Sequence, residues 1–216
     1  AMARDLVVAA LWAMAIVPWG AACPTGIATT VGVTTVPPLV QQEGAEVEVW
    51  VADALENVLR GARAPAEPAT EVVLEAARGE YESGQIVVRP AGAVTGLTAA
   101  AGPLRSARGD EIGADNLRCR FVGYVGVERN TAATPPEELV AQAPGEFPDP
   151  LLEDGSVDVA AGVAQPVWLT VRVPQDTPPG EYQGAVRLSW QGGERTVPVR
   201  LTVWPFAVPR ERHLYF

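Results

Sequence analysis

The sequence predicts an all-β fold, an immunoglobulin-like antiparallel β sandwich that spans residues 46–210. Three observations support this prediction. Apolar and polar residues alternate with a period of two in a series of segments, which is the spacing of half-buried strands. Glycine and proline interrupt the chain between these segments at short intervals. Short strands separated by such turns are more typical of a sandwich than of a closed barrel.

The alternation is clearest in the last three predicted strands. Residues 191–194 (QGGE) give a tight hairpin between the final two strands. Residues 176–180 (DTPPG) give the preceding turn, in which proline fixes φ and Gly180 can adopt a positive φ. The predicted strands are residues 46–51, 72–75, 85–89, 117–127, 165–174, 181–190 and 194–204.

Other segments of the folded part have different patterns. Residues 53–60 (DALENVLR) show helical spacing, which predicts about two turns of helix. Residues 131–150 and 155–162 are polar and are predicted to be surface loops.

In a strand, odd-numbered and even-numbered residues point to opposite faces of the sheet, so the parity of a residue's number predicts its face. The strand predicted at residues 117–127 illustrates this assignment. Arg118, Arg120 and Tyr124 are predicted to point outwards. Cys119 is interpreted as a small buried hydrophobic residue, and a disulfide between it and Cys23 is not expected. The side chains predicted to point inwards are Leu117, Cys119, Phe121 and Val125.

Composition and charge exclude several classes of function. The 216 residues carry a net charge of −10, which argues against a nucleic-acid binder because phosphates require a basic surface. The single histidine, His213, excludes a metal site built from several histidines and disfavours a Ser-His-Asp triad. No glycine-rich phosphate loop is found, and no cofactor is expected.

The amino terminus has the pattern of an export signal. Arg4 precedes an apolar run at residues 6–17, and the small residues 20–22 precede Cys23. The run is shorter than the roughly 20 apolar residues that a transmembrane helix needs. We therefore predict a signal peptide at residues 1–23 and export to the periplasm, the cell surface or the medium.

Cys23 is a candidate lipidation site. The preceding Gly20, Ala21 and Ala22 fit the small-residue part of a lipobox, but the usual leucine upstream is missing. Contact with a membrane is expected only through such a lipid anchor. Residues 24–45 are rich in threonine, glycine and proline and are predicted to form a flexible linker to the folded domain.

Three motifs in a fixed order carry a family resemblance. They are residues 72–88 (VVLEAARGEYESGQIVV), residues 147–151 (FPDPL), and residues 165–171 (QPVWLTV) followed by residues 176–182 (DTPPGEY). Together they resemble the amino-terminal β-sandwich domain of glycoside hydrolase family 123 and its uncharacterised bacterial relatives. The resemblance extends over residues 46–210.

This resemblance implies where catalysis takes place. In that family the chemistry lies on a following (β/α)₈ barrel, where an adjacent Asp-Glu pair supports substrate-assisted hydrolysis of N-acetyl-β-galactosaminides. Such a barrel needs about 250 residues, whereas the sequence ends at Phe216. We therefore expect no catalytic residue and no glycosidase activity in this chain. Residues 211–216 are expected to begin the connection to the barrel, the partner within the same polypeptide.

Three tryptophans occupy positions that parity assigns to polar faces, whereas Trp190 falls on an apolar face. Trp50 shares its predicted face with the glutamates of its strand, Trp168 shares one with Thr170, and Trp204 shares one with Thr202. Three interpretations remain open. The indoles could pack against a following domain, lie under the chain's own loops, or form a platform on which a sugar stacks.

The carboxylates suggest structural roles rather than catalysis. Glu80 and Glu82 flank a tyrosine before a strand, and hydrogen bonding to the turn backbone is favoured because a sandwich face offers no deep cleft. Asp149, Glu153 and Asp154 could approach a hard cation, but they lack the spacing of a calcium loop, so no metal site is expected.

Two classes of function follow from the sequence. The first is a non-catalytic scaffold domain of a secreted glycoside hydrolase. The alternative is an autonomous carbohydrate-binding module or an adhesive immunoglobulin-like module.

Overall fold

The computed structural model describes residues 46–211, and these form an almost entirely β structure. Two single-turn 3₁₀ helices, Ala114–Asn116 and Pro136–Glu138, are the helical elements of this range. No helix in the described range is long and apolar enough to cross a membrane. The strands are β1 (Val47–Ala52), β2 (Val72–Arg78), β3 (Tyr81–Pro90), β4 (Val94–Ala101), β5 (Leu104–Ser106), β6 (Glu111–Ile112), β7 (Leu117–Val127), β8 (Gly145–Leu151), β9 (Val157–Val159), β10 (Gln165–Arg172), β11 (Gly180–Trp190) and β12 (Gly193–Ala207).

The strands form the two sheets of a sandwich, which confirms the predicted fold class. The five-stranded sheet has the order β1-β3-β10-β7-β8. The seven-stranded sheet has the main order β2-β12-β11-β4-β9, with β5 paired to β11 and β6 to β5. Neighbouring strands are antiparallel except β2 and β12, which run parallel with Val72 opposite Val199.

The core lies between the inner faces of the two sheets. Val167, Leu169 and Val171 of β10 are fully buried, as are Val186 and Leu188 of β11. This period of two is the one that the sequence shows, because successive side chains of a strand point to opposite faces. Trp190 is half-buried and packs against this core.

The two predicted turns connect β10 to β11 and β11 to β12. Gly180 has a φ of 146° and Gly192 a φ of 94°, a region that residues with a Cβ atom rarely adopt. Between them, Tyr182 is fully buried, and its hydroxyl donates a hydrogen bond of 2.8 Å to the carbonyl of Pro178. The Tyr182 side chain thereby stabilises the turn that precedes β11.

Strand β7 follows the predicted parity only over its first half. Leu117 and Phe121 are buried and Cys119 packs half-buried against the core, but Val125 is exposed, so its predicted inward position is wrong. The register between β7 and β8 shifts between Val122 and Tyr124, which changes the alternation beyond that point. Burial raises the pKa of the Cys119 thiol to about 11.

Residues 53–60 form no helix, contrary to the prediction. The Asp53 carboxylate accepts a hydrogen bond from the backbone N–H of Leu55, which makes a local turn. The Gln85 side chain donates hydrogen bonds of 2.8 Å to the carbonyls of Asp53 and Glu56. In a helix, these carbonyls would accept hydrogen bonds from the backbone of the next turn. The Gln85 side chain binds them instead and holds the segment in an irregular conformation.

Five strands were not predicted, and two of them lie in segments predicted to be loops. β8 begins within residues 131–150 and ends at Leu151, and β9 falls within residues 155–162. Both lie at sheet edges, where β8 can contain two prolines without breaking a central ladder. β4 is rich in alanine, threonine and glycine, and β5 and β6 are very short.

The predicted signal peptide at residues 1–23, with Cys23, and the predicted linker at residues 24–45 lie outside the described residues. The same holds for residues 212–216 of the expected connection to a barrel. These assignments stay predictions.

Candidate functional site

The three tryptophans singled out by parity lie on the outer faces of both sheets. Trp50 on β1 and Trp168 on β10 share the outer face of the five-stranded sheet, where they oppose Val87 and Gln85 of the intervening strand β3. Trp204 lies on β12 of the seven-stranded sheet. The three indoles therefore do not form one aligned platform.

Trp50 is covered by the chain itself and is only 3% exposed. It forms a second apolar cluster with Ala52, Val58, Val87 and Ala164, against which residues 62 and 64 pack. Residues 53–64, called the covering segment below, run over the outer face of the sheet. Contact of Trp50 with a glycan or another domain is therefore ruled out in this structure, and coverage by the chain's own loop is the interpretation that holds.

Tyr124 and Arg60 fasten the covering segment to the sheet. The Tyr124 hydroxyl donates a hydrogen bond of 2.8 Å to the carbonyl of Val58. The guanidinium of Arg60 lies over the Tyr124 ring and forms an ion pair of 2.7 Å with Glu146 of β8. Desolvation raises the pKa of Tyr124 to about 12, so the phenol is neutral and remains a donor at physiological pH.

Trp168 is half-buried and lines a groove of about 240 Å³. The covering segment forms one wall, with Leu55 and Asn57, and strand β8 forms the other, with Pro148 and Asp149. An indole, an amide and a carboxylate therefore face the same groove. Aromatic faces with a few polar groups are the usual lining of small-molecule sites.

A second groove of about 370 Å³ continues along the same face of the sheet. Leu151 of β8 lines both grooves. The polar lining of the second groove comes from adjacent strands and from the 3₁₀ turn before β7. Its other lining residues are Tyr81, Asp115, Asn116, Arg118, Arg120, Thr170 and Arg172.

An exposed apolar stripe marks the end of β12. Trp204 is 40% exposed, Phe206 59% and Val208 41%. The register between β12 and β2 shifts between Val203 and Ala207. Four residues of advance along β12 correspond there to two along β2, so this part of β12 forms a bulge. The stripe Trp204, Phe206 and Val208 is called the exit stripe below.

Hydrogen bonds hold the backbone of the exit stripe in place. The N–H of Val208 donates to the carbonyl of Arg78, and the carbonyl of Val208 accepts from the Gln175 side chain at 2.7 Å. A guanidinium nitrogen of Arg78 donates to the carbonyl of Pro205 at 3.4 Å. The apolar side chains are thus presented to solvent from an ordered strand end.

Three of the carboxylates singled out in the sequence make structural contacts. Glu80 accepts a hydrogen bond of 2.6 Å from the N–H of Ala77, and Glu82 accepts one of 3.0 Å from the N–H of Ser83. Glu153 forms ion pairs with Arg118 and Arg120 of β7. Within residues 46–211, no cluster of three or more metal-ligating side chains is found.

The sequence reasoning missed two features of these surfaces. Phe206 and Val208 extend the stripe that begins with Trp204, and their spacing of two residues was the available signal. Arg172 joins Arg118 and Arg120 only through the pairing of β10 with β7, which no local pattern reveals.

Comparison with solved structures identifies a family 123 glycoside hydrolase from Clostridium perfringens, whose structural analysis concerns glycolipid glycan hydrolysis. The superposition has a TM-score of 0.63 at 15% sequence identity and covers 76% of this chain. The chain spans 28% of the length of that enzyme. At this identity the likeness shows a shared fold.

Other similarities are weaker. The major subunit of the Myf fimbriae of Yersinia enterocolitica, solved with galactose, is 14% identical at a TM-score of 0.33, over 73% of this chain and 99% of that one. The CooA pilin subunit of enterotoxigenic Escherichia coli is 12% identical at a TM-score of 0.34, over 73% of this chain and 99% of that one. Both scores are too low to carry an argument. We find no match among curated proteins.

A family model of the glycoside hydrolase 123 N-terminal domain matches residues 60–189, which is more than half of the chain. The match agrees with the resemblance of the three sequence motifs and with the shared fold. This chain belongs to the family of glycoside hydrolase 123 N-terminal domains.

Proposed function

We propose that this chain is the non-catalytic N-terminal sandwich of a secreted glycoside hydrolase and supports a downstream (β/α)₈ catalytic barrel. The activity proposed for the whole protein is hydrolysis of β-N-acetylgalactosaminides. Membership of the family supports the first statement. The resemblance to an enzyme of which this chain spans 28% supports the presence of a further catalytic part.

The exit stripe is the observation that carries the proposal. Trp204, Phe206 and Val208 are large apolar side chains exposed at the end of the last strand. Soluble domains rarely expose such side chains together unless the patch forms an interface, and aromatic residues are enriched in interfaces. A domain that follows β12 along the chain would meet this surface first.

The contacts of the carboxylates support a non-catalytic role. A glycosidase needs two carboxyl groups that flank the scissile bond. Glu80 and Glu82 are engaged with backbone N–H groups of the turn and strand around them, and Glu153 is bound by two guanidinium groups. These contacts support our proposal that the chemistry belongs to a downstream part of the polypeptide.

The test is to measure binding between this chain and the region encoded downstream of Phe216, produced as separate polypeptides. We expect saturable binding that weakens at least about tenfold when Trp204 and Phe206 are both changed to serine, because buried aromatics dominate interface energies. Leu55→Ser is the matched control. Leu55 is 92% exposed but lies beside the five-stranded sheet, whereas the exit stripe belongs to the seven-stranded sheet.

Three outcomes would contradict the proposal. The first is a reading frame that stops after Phe216, and the second is equal binding by the double variant and the wild type. The third is turnover of an aryl β-N-acetylgalactosaminide by this chain alone, abolished by Glu80→Gln or Glu82→Gln.

A second candidate function is carbohydrate binding by the domain itself. The grooves beside Trp168 favour it, because they combine an aromatic face with amide, carboxylate and guanidinium groups. Tryptophan fluorescence during titration with sugars tests it, with Trp168→Ala as the variant that should lose the signal.

A further inference from the structure

We propose that the two adjoining grooves on the outer face of the five-stranded sheet bind an acidic oligosaccharide. A neutral pyranose would stack on Trp168, and a carboxylate-bearing residue of the same glycan would lie against Arg118, Arg120 and Arg172. The inference rests on the second candidate function and specifies its ligand. It is independent of docking at the exit stripe, which lies on the other sheet.

Strand pairing brings the aromatic and basic groups together. Trp168 lies directly opposite Arg120, and Thr170 directly opposite Arg118, on the paired strands β10 and β7. Side chains at directly opposed positions on one face have Cβ atoms about 5 Å apart. Arg172 lies two residues beyond Thr170 on the same face. Arg120 therefore lies beside Trp168, and Arg118 and Arg172 follow along the same face of the sheet.

The length of the combined groove suits a short oligosaccharide. Trp168 and Arg172 are four residues apart on β10, which corresponds to about 13 Å of strand. Tyr81, 65% exposed on β3, lies opposite Arg172 and adds a second aromatic face at that end. Leu151 lines both grooves, which therefore adjoin each other on this face.

The arginine end has more positive than negative charge. Arg118 and Arg120 share a single carboxylate, that of Glu153, at 2.8 and 2.9 Å. Within the described range, Arg172 forms no ion pair, and the Nε of Arg120 is buried without a hydrogen-bond partner. Asp115 is the other carboxylate of this end. Three guanidinium groups thus face two carboxylates in a chain whose net charge is −10.

Arginine chemistry indicates which anion fits. A guanidinium group binds a carboxylate through two parallel hydrogen bonds, and it is less strongly hydrated than an ammonium group. At the opposite end, Asn57 and Asp149 beside Trp168 can hydrogen-bond neutral hydroxyl groups, whereas Asp149 would repel an anion. The charge therefore changes along the groove, which favours a glycan with an acidic sugar at one end only.

The test compares two ligands that differ only in the acidic sugar. The probes are 3′-sialyllactose and lactose, titrated against the full chain at low and high salt. We expect saturable binding of sialyllactose, at least about tenfold tighter than that of lactose, which weakens with salt because the Debye length shortens. Inorganic sulfate and a short oligothymidylate are the third and fourth probes.

Variants identify the groups that act at each end. Arg172→Gln should weaken sialyllactose at least about fivefold and leave lactose unchanged, since Arg172 lies at the acidic end. Trp168→Ala should weaken both sugars. Arg195→Gln is the matched control, because Arg195 is an exposed arginine on β12 of the other sheet. The circular dichroism spectrum and the unfolding midpoint show that each variant is folded.

The outcomes separate this inference from the broader candidate function. Equal affinities for sialyllactose and lactose overturn the inference but leave a neutral sugar site. No binding of either sugar overturns the inference together with the second candidate function. Sulfate that binds as tightly as sialyllactose, or oligothymidylate that binds more tightly, shows an anion or nucleic-acid site instead and also overturns it.

Discussion

The guanidinium carbon of Arg60 lies 4.2 Å from the centre of the Tyr124 ring, which is the geometry of a cation–π pair. The pair joins the segment that covers Trp50 to strand β7, while Glu146 of β8 binds the same guanidinium. These contacts hold residues 53–64 against β7 and β8, and Val58 of this segment is buried in the apolar cluster around Trp50.

Tyr124→Phe should lower the free energy of unfolding by about 1–3 kcal/mol, because the carbonyl of Val58 would lose the phenol hydrogen bond. Denaturant unfolding measures this change, and amide exchange of residues 53–64 should accelerate. Tyr81→Phe is the control, because that phenol is mostly exposed and should matter little. Equal effects of the two variants would contradict the assigned role of Tyr124.

Alkaline pH should destabilise the domain through the same residue. The pKa of Tyr124 is about 12 in the folded chain, against an ordinary value of 10.0, because burial disfavours the phenolate. A raised folded-state pKa gives stability that is fully present below pH 10 and is lost as the pH rises towards 12.

The comparison of wild type with Tyr124→Phe isolates this contribution. The variant lacks the titrating phenol, so its free energy of unfolding should fall less steeply between pH 10 and pH 12. Chemical denaturation at several pH values measures both slopes. Parallel curves would show that folding does not shift the pKa of Tyr124, which would contradict the prediction.

The thiol of Cys119 should react slowly in the folded chain. Burial raises its pKa from 9.0 to about 11, and a shift of two units lowers the thiolate fraction near pH 8 about 100-fold. A chromogenic disulfide reagent applied to the Cys23→Ser variant measures the rate, and the same variant in denaturant gives the reference. Similar rates in both conditions would contradict the buried position.

Gly184 has no room for a side chain. A Cβ atom there would lie 2.6 Å from the carbonyl oxygen of Pro103 and 2.6 Å from a methyl carbon of Leu104. Gly184→Ala should therefore lower the free energy of unfolding by about 1–3 kcal/mol through overpacking. Gly126→Ala is the matched strand control, because nothing lies within 4 Å of a Cβ at that position. The midpoint of thermal unfolding should therefore be lower for Gly184→Ala than for Gly126→Ala, and equal midpoints would contradict the prediction.

The alternation of residues predicted β10, β11 and β12 because each buries a run of alternate side chains. It predicted neither β8 nor β4. β8 is a proline-containing edge strand, and β4 carries alanines that fit either secondary structure. The helical spacing of residues 53–60 was misleading because hydrogen bonds from Gln85, on a strand distant in sequence, decide the conformation of that segment.

The candidate sites were predictable only in part. Parity correctly placed Trp50 on an outer face, but its burial depends on a covering segment whose path the sequence did not reveal. Parity likewise placed Arg118 and Arg120 outwards. Their proximity to Trp168 and Tyr81 required the order β3-β10-β7, which is set by pairings between distant parts of the chain.

The parallel pairing of β2 with β12 determines where this domain can be cut. β12 lies between β2 and β11, yet the family match ends at residue 189, before β12 begins, and starts at residue 60, after β1 ends. A piece trimmed to the matched residues would expose the unpaired edges of β2, β11 and β3, which invite intermolecular strand pairing. A piece that keeps both sheets intact therefore extends from β1 through residue 207, and experiments that divide the polypeptide should place their boundaries outside these strands.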